Sequence, residues 1–361
     1  MSVFDTQALW LELKAAGLVA GEPPPPGAIT APWFVRVMLG IAGWIGALFL
    51  LGFVSLGFRV LLESPGVSFV AGLMACAAAG VLFRTKPDSD FATQFGLAVS
   101  LAGQGLVLIA LGKELHNQAG LVALSMSLVQ AILFFAIPNF VHRVWAACTG
   151  AYAIVFALTA WHLQVYAPGL LAMTFAWIWL NEFRHASHGA MLRAGGYGLV
   201  PALMGAVGMV ASTAGTWMWR AGIHRPAGSE FHVWIGAGLC GIALLWTVWR
   251  LLMREDREPV SGTNWPILVA AGVLVLANFK APGLAPATLI LLLGYANGNR
   301  VLSGLGVAAL LGYLPFYYYS LEATLLYKSV LMMATGAVLL VARLLLQKYW
   351  PSTSRQEGHH A

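Results

Sequence analysis

From residue 34 to residue 346 the chain repeats one pattern: a long, mostly apolar run, then a short break carrying charge, proline or glycine. A helix needs ~20 such residues to cross the ~30 Å hydrocarbon layer of a bilayer. The runs fall at 34–58, 65–83, 95–112, 119–137, 144–162, 164–181, 195–219, 232–253, 265–279, 284–297, 301–319 and 325–346. None shows the alternating polarity of an outer-membrane strand, so the helix is the solution that satisfies each backbone group within its own segment. The pattern predicts an all-α polytopic transmembrane bundle of about 12 spans.

Composition agrees with the pattern. Charged residues make up 9% of the chain and hydrophobic ones 59%, whereas a soluble domain carries roughly 25% charged side chains. The 20 Lys and Arg against 14 Asp and Glu stand singly or in pairs between apolar runs, as membrane orientation requires and nucleic-acid binding does not. Cys76, Cys148 and Cys240 lie far apart inside runs, a spacing of packing thiols rather than of a disulfide framework or metal site.

Residues 1–33 carry Asp5, Glu12, Lys14 and Glu22 and are expected to be a short cytoplasmic amphipathic element, not a cleavable signal peptide. A helix from Asp5 to Ala16 displaying Leu9, Trp10 and Leu13 is expected, stopped by Pro23 to Pro26. Residues 34–348 form the transmembrane domain, and 349–361, ending in His359 and His360, a disordered cytoplasmic tail. With twelve crossings and the N-terminus inside, fourteen of the 20 basic residues fall on one side. By the positive-inside rule both termini are cytoplasmic. The loops are too short to hold a catalytic domain, and the Arg254 to Glu258 cluster reads as a solvated turn closed by Pro259. The halves do not visibly align as an internal repeat.

Two stretches concentrate polar groups. In Trp265 to Asn299 two short apolar pieces are joined through Asn278, Lys280, Pro282 and Gly283. Either both are short spanning helices, or they form a re-entrant hairpin presenting Asn278 and Lys280 at its tip, leaving ten crossings. The second stretch runs from Pro315 to Lys328. Tyr318, Glu322 and Lys328 there read as an interfacial belt with a carboxylate–ammonium pair, or as the lining of a polar cavity.

Elsewhere, Gln104 and Gln130 are in-span amides on adjacent helices and are expected to bond one another. His162 and Asn181, near helix ends, read as interfacial. Glu182, His185 and His188 share one face at helical spacing, which resembles a ligand set, but in a wet loop beside Arg184 no metal is expected. Small-residue arrays at Gly40, Gly43, Ala47 and at Gly304, Ala308, Gly312 are expected to be packing faces. No nucleotide-binding loop, zinc-protease or nucleophile-elbow motif occurs, so neither a cofactor nor a catalytic residue is expected.

The run Leu293-Gly294-Tyr295-Ala296-Asn297-Gly298-Asn299-Arg300, the segment Gly304 to Gly312, Tyr317-Tyr318-Tyr319-Ser320-Leu321, Leu325-Leu326, Lys328-Ser329 and Arg343 resemble the bacterial membrane family catalogued as domain of unknown function number 4401. Phe95 to Gln104 is similar to it too. The resemblance covers roughly residues 33–348 and implies a multi-pass inner-membrane protein, often encoded near another membrane protein. It places Gln104, Arg300, Tyr318, Lys328 and Arg343 in family segments without giving them a chemical role. Two functions fit. One is a secondary transporter or permease-like protein for a small solute; the alternative is a non-transporting scaffold or accessory subunit of a bacterial envelope membrane complex. Expected partners are the lipid bilayer and a neighbouring membrane protein or a second copy.

Overall fold

The computed structural model describes residues 6–17, 63–85, 89–214, 229–254 and 265–320, with isolated positions between 35 and 52 and between 326 and 333. The expected first and last spans, the four-proline linker, the cluster after Arg254 and the tail lie outside these residues. Among the described residues all regular structure is helical.

A short helix α1 (Thr6–Ala15) precedes the bundle. The bundle helices are α2 (Pro65–Thr85), α3 (Asp90–Glu114), α4 (Ala119–Ala136), α5 (Phe140–Ala160) and α6 (Ala167–Asn181). They continue with α7 (Gly189–Ala214), α8 (Ser229–Arg254), α9 (Trp265–Lys280), α10 (Leu284–Ala296) and α11 (Arg300–Ser320). Side-chain caps set two starts that hydropathy misplaced. Ser89 accepts from the Ala92 amide and Asn139 from the His142 amide. Each offers an orphan N–H its acceptor, so α3 and α5 begin about a turn earlier than their apolar cores.

Contacts fix which helix ends lie together. At the first end, Arg84 Nη2 donates to Ala136 O and Arg143 Nε to Phe134 O. The Phe140 ring meets Tyr197, Tyr197 bonds Asn299, Glu182 holds Arg193 and Asn297, and Arg254 lies over the Phe183 ring. At the opposite end Gly120 packs on Trp161, Gly236 on the Val165 carbonyl, and Asn278 Nδ2 bonds Ala237 O. Successive helices from α2 to α11 therefore alternate direction between two common ends.

Six of these helices are long and apolar enough to cross a membrane unaided: α2, α3, α4, α5, α7 and α8. Their outward faces carry exposed Val70, Met74, Leu128, Ile132 and Phe135, apolar surface that water would not tolerate at this density. The short helices have a different explanation. α6 and α10 have 15 and 13 residues, and they form the centre of the main core, where Phe175, Trp179, Leu289, Ile290 and Leu293 are fully buried. A helix that is apolar all round is one surrounded by protein. α10, bounded by α6, α8 and α11, need not match the thickness of a lipid layer it scarcely touches.

Glycines set the closest crossings among the described helices. A Cβ on Gly72 would lie 2.6 Å from Gly103 O, and one on Gly103 would lie 2.6 Å from Gly72 O. At the α10–α11 crossing a Cβ on Gly306 would lie 2.5 Å from the Leu291 Cα. Gly304 and Gly312 meet nothing among the described residues within 4 Å, because the helix turns them away from α10. Gly40, Gly43 and Ala47 are outside the described residues. Gly103→Val is expected to destabilise the bundle by about 2 kcal/mol or more through overpacking against backbone. Gly105→Val, where no described residue lies within 4 Å, is the neutral control. Melting of the two purified variants in detergent checks the contrast.

Candidate functional site

Three polar constructions stand out against the apolar interior. The first is a column between α3, α4 and α5. Gln130 Nε2 donates to Gln104 Oε1 at 2.8 Å, so the expected amide pair forms, and Gln104 Nε2 donates to Ser100 Oγ at 3.2 Å. Ser100 Oγ then lies 2.8 Å from His142 Nε2. All four side chains are buried, with Gln130 and His142 no more than 2% exposed. Gly150 makes room for the Gln130 stem, which puts the upper end at the middle of α5. His142 sits in the first turn of the same helix, so at ~1.5 Å per residue the column covers about 12 Å of depth. The Cys76 thiol of α2 reaches the Ser100 carbonyl at 3.6 Å, and Phe83 places its ring edge-on to the imidazole.

Sequence reasoning found the amides and missed Ser100 and His142. His142 looked like part of a break because it follows Asn139 and precedes Arg143. The signal that would have found it is Asn139 itself: an N-cap there puts His142 inside a helix and on the α3-facing side.

The second construction closes the first end of the bundle. Glu182, only 4% exposed, receives Arg193 Nε on one oxygen and Asn297 Nδ2 at 3.2 Å on the other. Asn297 Nδ2 also reaches Trp179 O at 3.0 Å, while Tyr197 and Asn299 bond each other side by side. Asn299 Oδ1 caps α11 through the Leu302 amide, and Gly298 takes φ of 63° to make the turn. The family-like run Asn297-Gly298-Asn299-Arg300 thus owes three of its four residues to a helix–helix corner. Arg300 is exposed beside it.

Glu182, His185 and His188 do not form the face that helical spacing suggested. The segment Glu182–His188 is a 3₁₀ helix broken at His185, with φ −121° and ψ 62°. That break turns Glu182 inward and leaves both histidines exposed. No group of three His, Cys, Asp or Glu suited to a metal occurs among the described residues. Asn181 is buried and returns its amide to Trp177 O, rather than lying at an interface; His162, at φ 60°, is exposed in a turn.

The third construction is the α9–α10 turn. Asn278 is 1% exposed and every polar atom of its side chain is engaged. Its Nδ2 donates to Ala237 O on α8 at 3.0 Å, and its Oδ1 accepts from Gly283 N at 3.3 Å and Ala285 N at 3.0 Å. It caps α10 from the preceding helix. Gly283, at φ 131°, lies against the Tyr313 ring where no other residue fits. The hairpin alternative would offer Asn278 at its tip, whereas here the amide is consumed in joining three helices. Beside it a narrow cleft is lined by Val165, Pro168, Val210, Cys240, Pro282 and Pro286. Lys280 ends α9 and Tyr318 lies in the last turn of α11, but their side chains, like Glu322 and Lys328 altogether, fall outside what the structure describes.

Long apolar helices, lipid-compatible outer faces and polar groups confined to the interior and the ends define a multi-pass helical membrane protein. The chain belongs to the family described as Domain of unknown function (DUF4401), whose model matches residues 32–349. Comparison with curated proteins and with solved structures gave no match.

Proposed function

We propose that the protein is a secondary transporter or permease-like carrier of a small solute in the bacterial inner membrane, with both termini cytoplasmic. The observation that carries this reading is the polar column from His142 to Gln130. Apolar side chains would pack α3, α4 and α5 together with no desolvation cost. An ionisable group, a hydroxyl and two amides reaching mid-depth are the usual mark of a path for polar cargo or ions. The α9–α10 pair runs between the same two ends as its neighbours, which favours two short passes over a shallow hairpin.

Reconstitution tests the reading. Proteoliposomes on a solid-supported membrane are challenged with amino acids, sugars, carboxylates, nucleobases and inorganic ions. At least one class is expected to evoke a saturable current, reduced roughly tenfold in the Gln104→Leu/Gln130→Leu variant. A chain silent to the whole panel that co-purifies stoichiometrically with another membrane protein would sink the proposal. That result would establish the second reading, an accessory subunit, which the fully engaged Asn278 and the close glycine crossings support.

Orientation has its own expected outcome. The arginines 84, 143, 193, 254 and 300 gather at the first end, which supports assigning it to the cytoplasm. Green fluorescent protein fused after Arg254 should fluoresce, and alkaline phosphatase fused after Asn117 should be active. The reverse pair of results would invert the topology.

A further inference from the structure

The hydrogen-bond direction within the column has a consequence for His142. Gln104 donates to Ser100 Oγ, which leaves the serine's proton and one lone pair for the 2.8 Å contact with His142 Nε2. A serine hydroxyl has one proton and two lone pairs, so both ring tautomers suit this contact, and in the one where the serine donates, Nε2 is the acceptor. The neutral ring then carries its hydrogen on Nδ1. That atom is buried and has no partner among the described residues, and at the other end of the column Gln130 Oε1 is likewise unpartnered. In that tautomer every donor points toward the imidazole, and the column ends in one unfilled donor and one unfilled acceptor, each on a side chain no more than 2% exposed.

We propose that His142 is a proton-binding site of this bundle, and that protonation at Nε2 reverses the Ser100–His142 hydrogen bond and so signals to Gln104 and Gln130 at mid-depth. The inference rests on the column being functional, as in the carrier reading, and it names the coupling ion of that path. The balance is simple. One proton from the aqueous phase at the first end occupies the Nε2 lone pair. The Nε2–H then donates to Ser100 Oγ, and the serine hydroxyl rotates to a carbonyl of its own helix, a bond such side chains commonly make. No other bond is made or broken.

The chemistry excludes the obvious alternative cargo for this site. A sodium or calcium ion needs a cage of several oxygens, whereas the column offers a single hydroxyl, two amide oxygens and a ring nitrogen. Among the described residues, the Cys76 thiol lies across Ser100 from the ring and Arg143 follows it on its own helix, while α3 contributes Ser100 and Gln104, and α4 Gln130. Arg84 and Arg143 both bond the last carbonyls of α4, where the negative end of a helix dipole offsets their charge. The ring is thus the group in the column able to take up a proton.

Nitrogen NMR of ¹⁵N-histidine-labelled protein in lipid nanodiscs tests this, with the His142 signal assigned by subtracting the spectrum of His142→Gln or, should that variant not fold, of His142→Asn. At about pH 8 the signal should be that of the Nδ1–H tautomer. Progressive acidification should convert it reversibly to imidazolium while the helical circular dichroism is unchanged. Gln104→Leu should move the midpoint by roughly half a pH unit or more, because it alters what Ser100 can accept. A signal that stays neutral throughout, an Nε2–H tautomer at high pH, loss of helix together with the spectral change, or a midpoint indifferent to Gln104→Leu would each overturn the proposal. The measurement needs no solute and no flux, so its failure leaves the carrier reading to the current assay.

Discussion

Replacing Asn278 by leucine should lower the melting temperature of the purified protein by roughly 5 °C or more, although the new side chain is apolar and similar in size. The substitution leaves Ala237 O without its side-chain donor and leaves Gly283 N and Ala285 N in the first turn of α10 without an acceptor. A buried polar group stripped of its partner costs about 1–3 kcal/mol. In a water-free interior neither amide finds a substitute, so a total of about 3 kcal/mol is the reasonable scale. At about 2 °C per kcal/mol for chains of several hundred residues, the shift is readily read by fluorescence-detected gel filtration after heating. A change under about 1 °C would mean that the turn is not held as the structure holds it.

A second large effect is expected at the buried carboxylate. Arg193→Ala leaves Glu182 4% exposed with only Asn297 and the surrounding apolar wall. Removing one partner of a fully buried pair costs about 3–5 kcal/mol, but Arg193 is 53% exposed, so water screens the interaction and about 2 kcal/mol is the better scale. Glu182→Gln keeps an acceptor for only one of the two neighbours but relieves the desolvated charge, so it should cost less. The ordering is the test: the double variant Glu182→Gln/Arg193→Ala should melt above Arg193→Ala alone. If the double variant is the less stable, the loss comes from packing of the arginine stem and not from an uncompensated carboxylate.

The two predictions fall on residues that the sequence treated very differently. Asn278 stood out because an amide beside Pro282 and Gly283 interrupts an apolar run, yet its role was invisible. Its partners Ala237, Gly283 and Ala285 offer only backbone atoms, and backbone leaves no compositional trace. Glu182 was read with His185 and His188 because helical periodicity was extended through a segment that a 3₁₀ turn breaks. Gln104 and Gln130 were legible as a pair because an amide inside an apolar helix has few partners, and the neighbouring run supplied one. Their continuation to Ser100 and His142 was not, because serine is unremarkable in a helix and the histidine lay at a boundary that hydropathy drew one turn too late.

The sequence by itself determined the class and the approximate positions of the ten described bundle helices, because bilayer burial acts on each segment separately and leaves its mark as apolar length and flanking charge. Only the tertiary structure decided which short runs are central, which glycines carry the crossings and which polar groups meet. Those outcomes depend on the rotation of each helix about its own axis. Lipid, being equally apolar on every side, does not specify that rotation; the neighbouring helices do.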